Sequence, residues 1–557
     1  MKEQIDCLLI GHNEMDFEEY EGICKKMGSH SGTFRDLNLN YIRYNNKPYT
    51  AAGVFNLLNS SVDAGFKPLR MGETFSAAIG CLGSYLSKHG LRFDYVNSFQ
   101  DNKTRLAEIL KQENILTIAI VTTLYVMALP IIEIIDFIKQ YNRTARIIVG
   151  GPFVSTQVRS LDAEALEHLF RHTIKADFFV NSSQGEAALV KIIRALKTNS
   201  PVDQIKNIHY KIDGKYGTTP IKRENNPLSE NPVRWHLFSD RIGEYVNVRT
   251  AISCPFSCSF CGFPEHAGTY RTAAVEWIES QLNHLDQVGV KRIHFIDDTF
   301  NVPVNRFKDI LKRMIKNKYQ FNWHSYFRCQ FADRETITMM KESGCEGVFL
   351  GIESGNDGVL KNMNKKVDLQ RYLEGIALLK EYGIATFGSF ITGFPGETQK
   401  TVQDTIAFIE KSGLDFYRTQ LWYCEPITPI WREREKYKIK GEHFEWSHAT
   451  MNAGTACDLI DDMLLSIKNA IWVPQYDFDF VTIWHLVHRG IGLEQVKDFL
   501  KSFNRGVKEK LMNTDESETS YQVIKELGTI FQGKENTDLF PDIEENVIDK
   551  YDAGFNY

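Results

Sequence analysis

The sequence predicts an α/β protein in three parts: a doubly wound, Rossmann-like N-terminal domain, a partial (β/α)6 barrel, and a C-terminal mostly helical domain. Two observations carry this expectation. Short β-branched runs alternate with segments of helical apolar spacing, first over 5–197 and again over 245–430, and strands that alternate with helices of this length pair in parallel. Past 430 the strand-like runs stop while the helical spacing continues. A chain of 557 residues has room for three or four domains, and 43% hydrophobic with 24% charged residues is an ordinary globular composition. The expected boundaries are 1–205 for the first domain, with a long insertion at about 14–70, 206–244 for a hairpin and linker, 245–430 for the barrel, and 431–557 for the helical domain.

In the first domain a strand is read over 5–10, a helix over 77–89 closed by Gly90, a strand over 93–97 and a helix over 103–112. The uncharged stretch 115–132 is long enough to raise the question of a membrane span. Pro130 interrupts it: 115–122 is β-branched and suits a buried parallel strand, while Ile132, Ile135 and Ile138 set a helix over 129–141. No membrane is therefore expected. A fourth strand over 145–152 and a fifth over 177–180 follow, then a helix over 187–197.

Doubly wound sheets take ligands beyond the carboxyl ends of their strands. Three such ends are polar or rich in glycine: Thr122, Thr123 and Tyr125; Gly150, Gly151 and Pro152; Ser182, Gly185 and Glu186. Glycine there admits a large flat ligand close to the backbone, and hydroxyls can bond its amides. A simple turn requirement would place glycines at the same positions. The insertion is too long for an ordinary connection, and could cover a ligand's tail or gate a substrate. Over 207–218 a hairpin turns at Asp213-Gly214, and Pro220, Pro227 and Pro232 mark the linker after it.

Barrel strands are expected over 245–249, 292–296, 321–327, 347–352, 385–392 and 416–423, with helices over 274–288, 306–316, 333–343, 369–382 and 401–412. Just past the first strand stand Cys254, Cys258 and Cys261, with three and two residues between them. Thiolates are the ligands that iron–sulfur clusters select. A four-iron cube held by three of them keeps one iron open to the amine and carboxylate of a small molecule. Part of a zinc site is the competing reading, but zinc takes four ligands in paired spacings and no second Cys/His pair stands nearby. Helices are expected over 455–472, 480–489, 494–503 and 519–527. Cys457 by itself cannot hold a further cluster, and Trp446, His448, His485 and His488 are read as packing or surface residues.

A net charge of −6 and the lack of a basic tract argue against a nucleic-acid partner. The first residues carry no apolar signal core, and ten cysteines over this length fit a reducing compartment, so a cytoplasmic location is expected.

The cysteine spacing, with the aromatic Phe260 before the third cysteine, resembles the motif of radical S-adenosylmethionine (SAM) enzymes. That resemblance implies a [4Fe–4S] cluster on Cys254, Cys258 and Cys261 with SAM on the open iron. Other segments resemble the family's grip on SAM. Asp297 and Asp298 would lie near the methionine amine, with a helix-capping turn as the alternative. Arg328 would face the methionine carboxylate or else be a surface arginine; Glu353, within 351–355, would meet SAM or its arginine. Ser389 would reach the ribose, and Gly393 and Pro395, within the turn 393–397, the adenine.

A glycine-turned α/β domain directly before this motif resembles the cobalamin-binding domain of B12-dependent radical SAM proteins. One departure stands out: where histidine ligates cobalt from below, Asp-x-His-x-x-Gly follows the first strand, and here the chain reads Gly11-His12-Asn13-Glu14. His12 is therefore read as a turn or surface residue, and the lower axial ligand stays open. Residues 8–14 and 36–40 are similar to the subgroup that includes the phosphinate P-methylase of phosphinothricin-type biosynthesis.

The resemblance implies a cobalamin-dependent radical SAM methyltransferase acting on an unactivated carbon or a phosphinate of a small-molecule or peptide substrate. An electron donor such as flavodoxin or ferredoxin would serve it. A B12 enzyme performing a cyclisation, ring contraction or epimerisation is one alternative. A non-catalytic cobalamin sensor or carrier is another, against which the intact cysteine triad speaks. Tyr423 and Glu425, in a proline-bracketed turn after the sixth strand, are catalytic candidates by position alone.

Overall fold

The computed structural model describes residues 4–60, 66–514 and 517–532. Two seven-stranded sheets organise it. In the first, the spatial order is Phe93–Ser98, Ile5–His12, Ile115–Val121, Arg146–Gly150, Phe178–Val180, Ile208–Ile212 and Lys215–Thr218. The first five run parallel, and strand order reverses between Ile5–His12 and Ile115–Val121, the switch point at which such sheets bind ligands. The hairpin expected beside the linker pairs antiparallel with Phe178–Val180 and so extends this sheet. Helix Leu129–Tyr141 begins with Pro130 in its first turn and buries Ile131, Ile134, Ile135 and Ile138, the apolar stripe that a 3.6-residue period produces.

The second sheet follows chain order: Tyr245–Val248, Arg292–Phe295, Asn322–Phe327, Cys345–Glu353, Ala385–Thr392, Phe416–Leu421 and Ile471–Trp472, all parallel. The seventh strand corrects the sequence reading. Helix Ala453–Ser466 ends six residues short of the expected 472, where Glu410 accepts the N–H groups of Lys468 and Asn469, and Ile471 then pairs with Phe416. At the opposite edge, Phe75 of the first domain bridges to Val246. Helix Phe480–His488 fills the barrel interior: Phe480 packs on Phe349 and Phe387, and Trp484 lies against Gly347, where a Cβ would come within 2.2 Å of the indole.

The insertion folds as helices Phe17–Lys26 and Gly32–Asn38, a hairpin and helix Ala51–Ser60. It docks on the far edge of the barrel. Arg418, buried on the sixth strand, donates to Asp36 at 3.2 Å and Asn40 at 3.3 Å and stacks on Trp472, and Arg35 pairs with Asp461. Helix Leu493–Met512 runs past the expected 503 because Val507 continues its apolar stripe, and Gly506 lets it approach Ile42 of the insertion. Among the described residues no helix is long and apolar enough to cross a membrane.

Candidate functional site

The loop bearing the three cysteines is clamped before any ligand is considered. Asp297, buried at the end of the second barrel strand, accepts from the N–H groups of Thr250 at 2.7 Å and Ala251 at 2.8 Å, and from the Thr250 hydroxyl. Both its oxygens are thus engaged in the turn that launches the loop. The carboxylate expected beside an amine acts here as the loop's anchor, while Asp298 is exposed. Ser259 donates to the carbonyls of Met363 and Asn362 and accepts from Ile430, tying the loop's far end to two further segments.

Cys258 is buried, and Cys254 and Cys261 are half-buried. Burial pushes the Cys261 thiol up to about 12, and raises Cys258 against the opposing charges of Lys365 and Arg328. Arg328 stands 3.7 Å from the Cys258 sulfur, donates to the Lys365 carbonyl and lies 3.6 Å over the Phe256 ring. These cations suit thiolates and an anionic group between them. Among the described residues no three Cys, His, Asp or Glu side chains converge on one point as a single ion requires. In a cube each thiolate takes a different iron.

Glu353 ends the fourth strand with a left-handed φ of 72° and forms an ion pair with Lys365 at 2.8 Å, both side chains almost wholly buried. Sequence reasoning offered Glu353 an arginine and missed Lys365, which in the run Asn364-Lys365-Lys366 looks like any surface charge. Lys365 also lies 5.5 Å from the Phe260 ring, which binds the aromatic of the motif to the same cluster of side chains. Ser389 is buried on the fifth strand. After it, Gly393 takes a φ of 95°, and its N–H donates to Glu397, whose buried carboxyl is pushed up to about 8. Trp446 packs where a Gly393 Cβ would stand, and His448 bonds the Gly393 carbonyl at 2.9 Å with its ring stacked on Trp446. The two residues read as packing thus form the rear wall of the 393–397 turn. Pro395 accepts from Asn362.

In the first sheet, Gly151 has a φ of 121°, and a Cβ there would lie 2.8 Å from the Thr122 hydroxyl, which itself donates to Gly150. Pro152 opens the helix that follows. Tyr125 accepts from the Asn13 N–H at 2.7 Å, and its ring stacks on His12 at 5.7 Å. Burial lowers His12 to about 4, leaving it neutral near pH 7. Beside this pair Thr123, Leu124 and Val126 are exposed at the switch point. At the third strand end the linker folds back onto the turn. Glu224 of the linker accepts from the N–H groups of Ala187 and Ala188, and Asn226 donates to Glu186 and exchanges two bonds with Gln184. A carboxylate at a helix N-terminus satisfies its orphan N–H groups, so Glu224 caps this helix.

The two sets of strand ends meet across a cleft. Arg159, on the helix after Gly151, donates to His266 beyond the cysteine loop at 2.5 Å, and its charge opposes the burial that raises Glu425. Tyr423 is half-exposed nearby and packs against His443 with the rings tilted, and burial pushes its hydroxyl up to about 12.

Comparison with known proteins accords with this arrangement. The Radical SAM superfamily model matches residues 249–409. An uncharacterised methyltransferase of Pyrococcus horikoshii, PH0819, is 27% identical over 303 residues, and the match covers 53% of this chain and 64% of that relative. The chain thus spans a little under two thirds of that relative's length. TsrM, a radical SAM methyltransferase of Kitasatospora setae solved with cobalamin and a [4Fe–4S] cluster, aligns with a TM-score of 0.52 and 18% identity over 65% of this chain and 75% of its own. OxsB, a cobalamin-dependent SAM radical enzyme solved with aqua-cobalamin and SAM, aligns with a TM-score of 0.56 and 14% identity over 98% of this chain and 80% of its own. At these identities the two structures share the fold.

Proposed function

We propose that this chain, a radical SAM enzyme by its domain and its cysteine loop, is a cobalamin-dependent methyltransferase that acts on an unactivated carbon or a phosphinate of a small molecule or peptide. One observation carries the reading: the three-cysteine loop at the mouth of a parallel open barrel faces the carboxyl ends of a second parallel sheet. When bound, the cluster supplies the electron that splits SAM to a 5'-deoxyadenosyl radical, and cobalamin carries the methyl group.

The chain's own residues hold and orient. Cys254, Cys258 and Cys261 would ligate the cluster, with Arg328 and Lys365 balancing its charge. Ser389 and the 393–397 turn, backed by Trp446 and His448, would hold the nucleoside. Thr123, Gly150, Gly151, Pro152, Ser182 and Gly185 would receive the corrin, and exposed Leu124 and Val126 would exclude water from its face. Tyr423 and Glu425 would border the substrate from the barrel side. A one-electron donor such as flavodoxin or ferredoxin would approach the cluster loop from its exposed side, and the exposure of Pro255 and Ser257 supports this.

The test is anaerobic. Protein reconstituted with iron, sulfide and cobalamin receives reductant and methyl-labelled SAM. Labelled methylcobalamin, S-adenosylhomocysteine and 5'-deoxyadenosine are the expected products. Formation of 5'-deoxyadenosine without cobalt methylation would sink the methyltransferase reading in favour of a radical rearrangement.

A further inference from the structure

We propose that Arg249 anchors an acidic group of the substrate, a carboxylate or a phosphorus oxyanion, in the cleft between the barrel mouth and the facing sheet. The inference rests on the reading that substrate enters this cleft.

Strand alternation gives the side chain its direction. Along the first barrel strand Tyr245 points into the barrel, where its hydroxyl meets His324, and Val246 and Val248 are buried on the opposite face. Asn247 bonds the Phe75 carbonyl, and Arg249 follows on the face of Tyr245 and Asn247, just past the strand's carboxyl end. Thr250 next to it is locked by Asp297 and Arg306, so the Arg249 backbone is held on both sides.

The charge of Arg249 is felt on both walls. It opposes the burial that raises Asp298 on the barrel side, and acts likewise on Glu186 and Cys81 of the first domain. Yet Arg249 is exposed and its side chain, among the described residues, forms no hydrogen bond or ion pair. Three other arginines at this mouth are committed. Arg328 has Cys258, the Lys365 carbonyl and Phe256; Arg306 has Thr250 and Ala273; Arg159 has His266. Glu186 is likewise spent on Asn226. A guanidinium presents five donors in a planar fork that matches a carboxylate or phosphoryl group in two parallel bonds.

Arginine modification by phenylglyoxal tests this on the cluster- and cobalamin-loaded protein, with each site followed by peptide mass spectrometry. The probes are propionate, methylphosphinate and inorganic phosphate, with propionamide as the neutral control and exposed Arg371 as the reference site. At a probe concentration twice its dissociation constant, modification of Arg249 should slow about threefold while Arg371 is unchanged. Protection by propionate alone would identify a carboxylate, and protection by the phosphorus anions alone a phosphoryl-type group. Equal rates with every anion would overturn the proposal. So would failure of Arg249→Gln to retain cobalamin, which would give Arg249 to the corrin. If cobalt is never methylated but Arg249 is still protected, the methyltransferase reading fails and the anion site stands.

Discussion

Lys365 and Glu353 form a buried ion pair at 2.8 Å, twelve residues apart in the chain, between the aromatic of the cysteine motif and the end of the fourth barrel strand. Burying one charge without its partner is costly, while the pair together is tolerated. Lys365→Met is therefore expected to destabilise the protein by about 3–5 kcal/mol, whereas Lys365→Met combined with Glu353→Gln recovers part of the loss. Denaturant midpoints of the two variants decide it; equal midpoints would mean that the pair is not coupled.

Glu397 gives a pH dependence with a definite sign. Its carboxyl is raised to about 8 by burial, so between roughly pH 4.5 and 8 the folded chain keeps a proton that the unfolded chain has released. Stability from this group is then lost as pH rises, by at most about 1.4 kcal/mol per unit. Glu397→Gln keeps a neutral acceptor for the Gly393 N–H and should flatten that fall. Thermal midpoints compared at pH 5.5 and 8, with the variant gaining on the wild type from the lower pH to the higher, would bear this out.

Gly347 faces the indole of Trp484 inside the barrel, and a Cβ would need 2.2 Å where packing allows none. Gly347→Ala should cost about 1–3 kcal/mol and expose Trp484 as helix Phe480–His488 is pushed outward. Tryptophan emission and the unfolding midpoint report both effects, and Trp484→Leu in the same chain should restore much of the stability.

Removal of a single thiol separates the two halves of the site. Cys258→Ala should lose iron and sulfide after reconstitution, and with them 5'-deoxyadenosine formation, while cobalamin stays bound because its expected contacts lie in the other sheet. Metal analysis and the visible spectrum of bound cobalamin distinguish these outcomes, and joint loss of both groups would show that the halves depend on each other.

Much of this architecture was legible without coordinates. Alternating β-branched runs and helical stripes are local patterns, and they placed helix Leu129–Tyr141 and strand Ala385–Thr392 to the residue. Three cysteines at close spacing are equally local, because one loop carries them all. Other features gave no such signal. Ile471 and Trp472 are too short a run to outweigh a continuing helical pattern until Phe416 offers a strand to pair with. Glu224 looks like a linker charge, and only its approach to the N–H groups of Ala187 and Ala188 makes it a cap.

By itself the sequence determined the order of elements, the two strand-end surfaces and the spacing of the three cysteines, because backbone periodicity and motif spacing are properties of neighbouring residues. The tertiary structure alone decided that Lys365 meets Glu353, that the insertion docks through Asp36 on Arg418, and that the Arg249 side chain is left exposed just past the first barrel strand. Charges distant in the chain find partners only after the sheets are placed against each other, since the energy of a pair depends on distance and burial and neither is written in the spacing of residues.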